Sequence, residues 1–278
     1  SAGITLFHNG LEQFKDNYII LVTAIVLMFI GELGFITWQE VGRFLKARHN
    51  GKPYRFTLHS KIVLYGSSAL LLATTIIFWI LEHNNVLRNT TFFQSIFNSF
   101  FYAISFRSAG LLLAPISSFH IATIMLIMIV AFIGSAPAST GGGMKITTFT
   151  IFLSTIRSAI AGKDVVTIKG RSIATIQVFK AVSIIALGAG WVIITTFCLL
   201  ITEQGFTFLA MLFESNSALT TIGITTGVTA QLSTIGKLFI IMTMILGRIG
   251  SLTLVLALRL KHKPETEYSY PEERVMLG

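Results

Sequence analysis

The chain has 278 residues, a mean hydropathy of +0.75, 53% hydrophobic positions and 12% charged ones, where a soluble domain carries roughly 25% charged residues. Too little polar surface is present to keep such a chain in water, which excludes an ordinary cytosolic enzyme, a disordered tail and a secreted disulfide module. The net charge of +9 would suit nucleic acid, but its placement points to a membrane, and the single Cys198, inside an apolar run, excludes an intrachain disulfide.

No basic leader opens the chain, so no cleavable signal is expected, and Ser1 reads as the edge of a fragment or of a processed product. Five apolar stretches then follow, 18–39, 62–81, 119–160, 174–201 and 235–258, each able to supply the about 20 residues a crossing needs. The 40–61 connection carries Arg43, Lys46, Arg48, Lys52, Arg55 and Lys61. Between the second and third stretches, Thr91 to Gly110 is aromatic-rich for about three helical turns, then turns to small residues and glycine. The segment is too short to cross and return as two helices, so it predicts a half-helix that enters from outside and climbs back extended.

The third stretch has 42 residues, and Gly134 to Lys145, with Pro137 and four glycines, interrupts it. Such a segment cannot sustain a helix. One net crossing broken at mid-depth is expected, because irregular backbone at that depth must be buried by protein or bathed by water. Arg157, Lys163, Lys169 and Arg171 follow. After the fourth stretch, Phe206 to Gly223 repeats the pattern of an aromatic helix, small residues and glycine, and the tail beyond the fifth adds Arg259, Lys261, Lys263 and Arg274. The alternate loops hold only Lys15 and Arg88, so the basic loops and the tail are assigned to the cytoplasm and Ser1 to the outside. Orientation alone accounts for these charges, so neither a nucleic-acid nor a lipid-headgroup patch is needed to explain them.

Ser1-Ala2-Gly3 echoes Ser108-Ala109-Gly110 and Thr221-Ile222-Gly223, with the glycines 107 and then 113 residues apart. A period of span, re-entrant helix and span is the layout of a cation channel unit, present twice in full with the closing half of another. In such a loop main-chain carbonyls replace the water shell of an ion, glycine lets its neighbours aim those oxygens, and helix C-termini add negative potential. A single glycine of this kind reads as a tight turn or a close helix contact. Three at matching places in a repeat read as a filter.

Gly31 to Trp38, His59 to Leu64, Phe106 to Gly110, Gly134 to Lys145, Phe213 to Thr225, Gly247 to Thr253 and Tyr270 to Arg274 together resemble, in order and over the whole chain, the Trk/Ktr/HKT potassium transporter superfamily, most closely a KtrB-like membrane subunit. The resemblance implies an all-α integral membrane fold of helix–pore loop–helix units around a pseudo-fourfold pore, with about two and a half of four repeats in this chain. Residues 1–58 would end the second repeat, 59–172 form the third, 173–258 the fourth, and 259–278 a cytoplasmic tail. The filter would comprise Ser1, Ala2, Gly3, Ser108, Ala109, Gly110, Thr221, Ile222 and Gly223. Potassium would be the transported ion, with sodium left open because the first-repeat filter position is not in this chain. The gate would comprise Gly134, Ser135, Gly141, Gly142, Gly143, Lys145 and Arg248. An Arg at mid-bilayer costs ~2.5–3.5 kcal/mol or more unless it faces water or a partner, so Arg248 is either an electrostatic barrier in the pore or a structural tie between helices. Arg107 and Glu214, flanking filter glycines in neighbouring repeats, read as a pair that holds the filter walls, whereas Glu32 has no evident reason to lie within a span.

By the same resemblance the subunit is a homodimer in a bacterial plasma membrane and docks on a cytosolic ring of nucleotide-binding, KtrA- or TrkA-like regulatory subunits through the 40–61 and 157–171 loops and the tail. No organic cofactor and no enzymatic activity are expected. Gly141 to Thr147 lacks the adjacent Gly-Lys-Ser/Thr of a phosphate loop, no nucleophile sits beside a base, and no His or Cys pair has ligand spacing. The Asn89-Thr90-Thr91 sequon faces outward and is left bare in bacterial chains. A second class of reading is a non-conducting membrane subunit or docking platform, which an upstream pair of spans with a fourth glycine would exclude.

Overall fold

The computed structural model describes residues 3–7, 10–163 and 165–250. Apolar runs opened by a hydroxyl or amide cap become helices: Asn17 starts α1 (Tyr18–Glu32), Thr57 starts α3 (Leu58–Glu82), Thr91 starts α4 (Phe92–Ser108), Thr207 starts α8 (Phe208–Thr220) and Ser233 starts α9 (Thr234–Ile249), each accepting from an amide three residues on. The remaining helices are α2 (Phe35–His49), α5 (Ile121–Ile133), α6 (Ile146–Ile160) and α7 (Thr175–Thr202). A two-stranded hairpin, β1 (Thr167–Ile168) and β2 (Arg171–Ser172), turns through Lys169 and Gly170, both with positive φ. This hairpin is a small departure from the all-helical expectation for the basic 157–171 loop, and the Lys169 ammonium pins it by lying 3.4 Å over the Tyr65 ring.

Of the five stretches, α3 and α7 are continuous helices long and apolar enough to span. The first is not one helix. It breaks after Glu32 and α2 leaves at 100°. The break is forced by Gly34, whose φ of 75° only glycine adopts freely, and a Cβ there would sit 2.3 Å from the Pro137 carbonyl oxygen. The third stretch is broken as predicted, into α5 and α6 on either side of 134–145. The last lies on α9 up to Gly250, and its remainder, with the tail, falls outside the described residues.

The short helices α4 and α8 are each held in the same way: α4 against α3, α5 and the preceding α1, and α8 against α7, α9 and the preceding α5. At 17 residues α4 is longer than the three turns the sequence suggests. Phe78, Tyr102, Phe106 and Phe119 close the core around it, with Phe78 and Tyr102 ring centroids 4.7 Å apart. Outward faces carry Leu27, Ile80, Ile193 and Phe197, all more than half exposed, a surface suited to hydrocarbon.

At the C-terminal end of α7, Glu203 accepts from the Ser233 hydroxyl at 2.5 Å and the Ser233 amide at 3.0 Å, and these bonds hold its carboxyl below the usual carboxylate range. A carboxylate with a lowered folded-state pKa stabilises above its unfolded value and loses that contribution as pH falls through the folded one. Glu203→Gln is therefore expected to lower the melting temperature at neutral pH and to flatten its fall below about pH 4. Thermal melts across the acid range would check it, and parallel curves for both proteins would refute it.

Candidate functional site

Both short helices end where three glycine-bearing segments meet. Gly3, Gly110 and Gly223 have φ of 64°, 67° and 79°. A Cβ on Gly3 would lie 1.6 Å from the Ala109 carbonyl oxygen, and one on Gly110 would lie 2.0 Å from the Ile222 carbonyl oxygen, whereas Gly223 has nothing within 4 Å. Each segment thus abuts the next. Leu11 reinforces the first contact by donating its amide to the Leu112 carbonyl at 3.0 Å.

The carbonyls after Gly110 and Gly223 are held in the same manner: Ser105 donates to Leu111 O at 2.6 Å and Ser217 to Ile224 O at 2.5 Å. Among the described residues the carbonyls of Ala109, Gly110, Ile222 and Gly223 accept no hydrogen bond. Thr221 takes up the left-handed conformation at the end of α8, with φ 55°. The helix ends at Ser108 and Thr220 carry partial negative charge towards this place. Ser1 and Ala2, the other predicted filter residues, lie outside the described residues.

The 134–145 segment fits directly against these helix ends. A Cβ on Gly141 would meet Ser135 Oγ at 2.2 Å and Ser108 Cβ at 3.1 Å, one on Gly142 would meet Thr221 Oγ1 at 2.1 Å, and one on Gly143 would lie 3.4 Å from Thr220 Cα. The segment hangs on the end of α1: Ala136 donates to Glu32 O at 3.1 Å, Phe35 to Ala138 O at 3.1 Å, and Thr140 to Gly31 O through both its amide and its hydroxyl. Lys145 Nζ folds back on Gly141 O at 2.5 Å, Ser135 and Ser139 hydroxyls share a bond of 2.7 Å, and Arg248 donates to Thr140 O at 2.5 Å. This contact with a loop carbonyl is compatible with both readings of Arg248, the barrier and the tie. A cavity of about 230 Å³ beside Gly143, Lys145, Leu219 and Gly247 borders the segment.

Arg107 and Glu214 do not pair with each other. Arg107, fully buried, forms an ion pair with Glu32 at 3.0 Å and donates to Ser67 Oγ at 3.2 Å and Gly134 O at 3.3 Å, while Ser108 Oγ donates to Glu32 Oε1 at 3.0 Å. Glu214 instead gathers the chain beyond Gly223, accepting from the Thr225 and Thr229 hydroxyls at 2.5 Å each and from the Thr226 amide at 2.9 Å. Two separate carboxylates therefore brace the two segments that carry Gly110 and Gly223. Glu32 is the residue sequence reasoning left unexplained. The signal was present, since an acid and a base in apolar runs must find each other.

The sequence profile of the TrkH family, described as a cation transport protein, matches residues 1–269. The chain belongs to that family. A potassium/sodium uptake protein NtpJ of Enterococcus hirae is 33% identical over 285 residues, covering 100% of this chain and 61% of the relative. The Ktr system potassium uptake protein B of Vibrio alginolyticus is 35% identical, covering 100% of this chain and 60% of the relative. This TrkH-family chain thus spans about three fifths of the length of these curated relatives. The crystal structure of the potassium transporter TrkH from Vibrio parahaemolyticus superposes with a TM-score of 0.70 at 18% identity, over 92% of this chain and 55% of that one. The likeness establishes the fold.

Proposed function

We propose that this TrkH-family chain forms most of a potassium uptake pore in a bacterial plasma membrane, with its C-terminus in the cytoplasm. Residues 1–58, 59–172 and 173–258 act as the end of one repeat and two complete repeats. The observation that carries the reading is the glycine-to-carbonyl succession from Gly3 to Ala109 and from Gly110 to Ile222, which sets main-chain oxygens side by side around one axis. A desolvated potassium ion passes those oxygens, with sodium as a lesser substrate, and then meets the 134–145 segment, which acts as the gate. Inward flow is driven by the membrane potential, ~2.3 kcal/mol per charge per 100 mV. The subunit works as a homodimer on a cytosolic nucleotide-binding ring, as the family resemblance implies; the "Ktr system" in the names of its relatives supports only that such proteins work within a multi-component system.

The full-length protein in liposomes with an inside-negative potassium diffusion potential is expected to accumulate tracer rubidium. No accumulation would count against the conducting reading. Deleting residues 135–143 is expected to raise that flux several-fold, since it removes the bonds that hold the segment across the exit. Flux equal to wild type would remove the gate assignment.

A further inference from the structure

The helix α2 has a role that neither pore nor gate uses. At 15 residues and 1.5 Å per residue, α1 is ~22 Å long, short of a hydrocarbon core of about 30 Å. Set upright in a bilayer with its first turn at one boundary, α1 would bring the 100° bend ~8 Å short of the other boundary, and α2 would then run along the membrane plane at the depth of ~5–10 Å where interfacial amphipathic helices rest.

Its surface is divided accordingly. Thr37 and Glu40 are buried against the protein, where Glu40 accepts from the Thr57 amide at 3.2 Å. The outward stripe, in steps of three and four, is Phe35, Trp38, Gly42 and Leu45, with Phe35 61%, Trp38 37% and Leu45 59% exposed. Exposed Arg43 and Lys46 flank the stripe on one side and exposed Arg48 on the other, and none of the three forms an ion pair among the described residues. Arg and Lys stems can follow apolar surface while their charges reach phosphate. A cytosolic protein could meet the basic end of α2, but not Phe35 and Trp38 beside the span.

We propose that α2 is a docking surface for anionic phospholipids of the cytoplasmic leaflet, with Phe35, Trp38 and Leu45 in the acyl region and Arg43, Lys46 and Arg48 on headgroup phosphates. Resting on the gate reading above, lipid charge then bears on the gate, because Phe35, the first residue of α2, is bonded to Ala138 and Gly34 is wedged against Pro137.

The test uses the full-length protein in phosphatidylcholine vesicles with one quarter phosphatidylglycerol, in which either lipid is brominated. The Trp38 signal is isolated by difference from Trp38→Phe. Brominated phosphatidylglycerol is expected to quench it at least threefold more than brominated phosphatidylcholine, and Arg43→Gln/Lys46→Gln/Arg48→Gln is expected to erase that preference. Equal quenching by the two lipids, no quenching, or a preference that survives the triple variant would overturn the docking surface, as would quenching abolished by a cytosolic protein bound there. Rubidium uptake is expected to rise several-fold with phosphatidylglycerol in the wild type and to stay flat in the triple variant. Flux indifferent to phosphatidylglycerol while the quenching preference persists would overturn the link to the gate and leave the docking surface standing, and loss of all flux would fail the pore reading without touching the quenching result.

Discussion

Gly110→Ser in the full-length protein is expected to cut potassium-over-sodium discrimination roughly tenfold or more, a change of ~1.4 kcal/mol. At φ 67° a side chain is strained, and its Cβ would fall 2.0 Å from the Ile222 carbonyl oxygen, so the backbone of the neighbouring segment has to move. That oxygen is one of the four carbonyls that accept no hydrogen bond among the described residues, so on the proposed filter reading the displacement would reach an ion-facing oxygen directly. Gly223→Ser is expected to weaken discrimination as well, because its φ of 79° strains any side chain. Competition of sodium against rubidium uptake measures both variants. Unchanged selectivity in both would end the filter assignment.

Arg107→Gln is expected to be the most damaging single change to stability. Removing one partner of a buried pair leaves the other charge uncompensated, at a cost of about 3–5 kcal/mol. Here Glu32 would be stranded with both residues only 1% exposed, and Gly134 O and Ser67 would lose their donor. Glu32→Gln should cost a comparable amount, because it leaves the buried Arg107 guanidinium, which stays charged, without its counter-charge. Replacing both, as Glu32→Leu/Arg107→Met, should recover a good part of the loss, since a buried pair exchanged for apolar groups is often near neutral. Melting temperatures of the purified protein in detergent form the double-mutant cycle. Additive losses would mean that the pair is not coupled.

Much of the architecture around the three glycines is legible in the sequence because its signals are local. Threonine caps, aromatic helices and terminal glycines recur at matching places, and α4 and α8 lie where that repetition puts them. The break in the third stretch is equally plain from Pro137 and the glycine run. What escapes is long-range. The kink at Gly34 depends on the backbone of Pro137, more than a hundred residues away, and an apolar run with a glycine looks like a continuous span until its neighbour is known. Glu32 and Arg107 are likewise separate oddities until α1 and α4 are side by side. Pairing Arg107 with Glu214 followed their equivalent positions in the repeat, yet Glu214 is satisfied by Thr225, Thr226 and Thr229 close to it in the chain. The hairpin at 167–172 is too short to leave an alternating pattern, and only Lys169-Gly170 hints at its turn.

The end of α1 is satisfied by borrowed donors. Ile30 O accepts from the Trp38 indole, Gly31 O from Thr140 and Glu32 O from Ala136. On the proposed reading of 134–145 as a gate, moving it aside would take the donors from the last two of these oxygens and leave them to be rehydrated. Opening would then draw solvent inward, and its equilibrium would be sensitive to water activity. Osmolytes too bulky to enter the proposed path are expected to hold the closed form, and rubidium flux unchanged by such osmolytes would contradict this consequence.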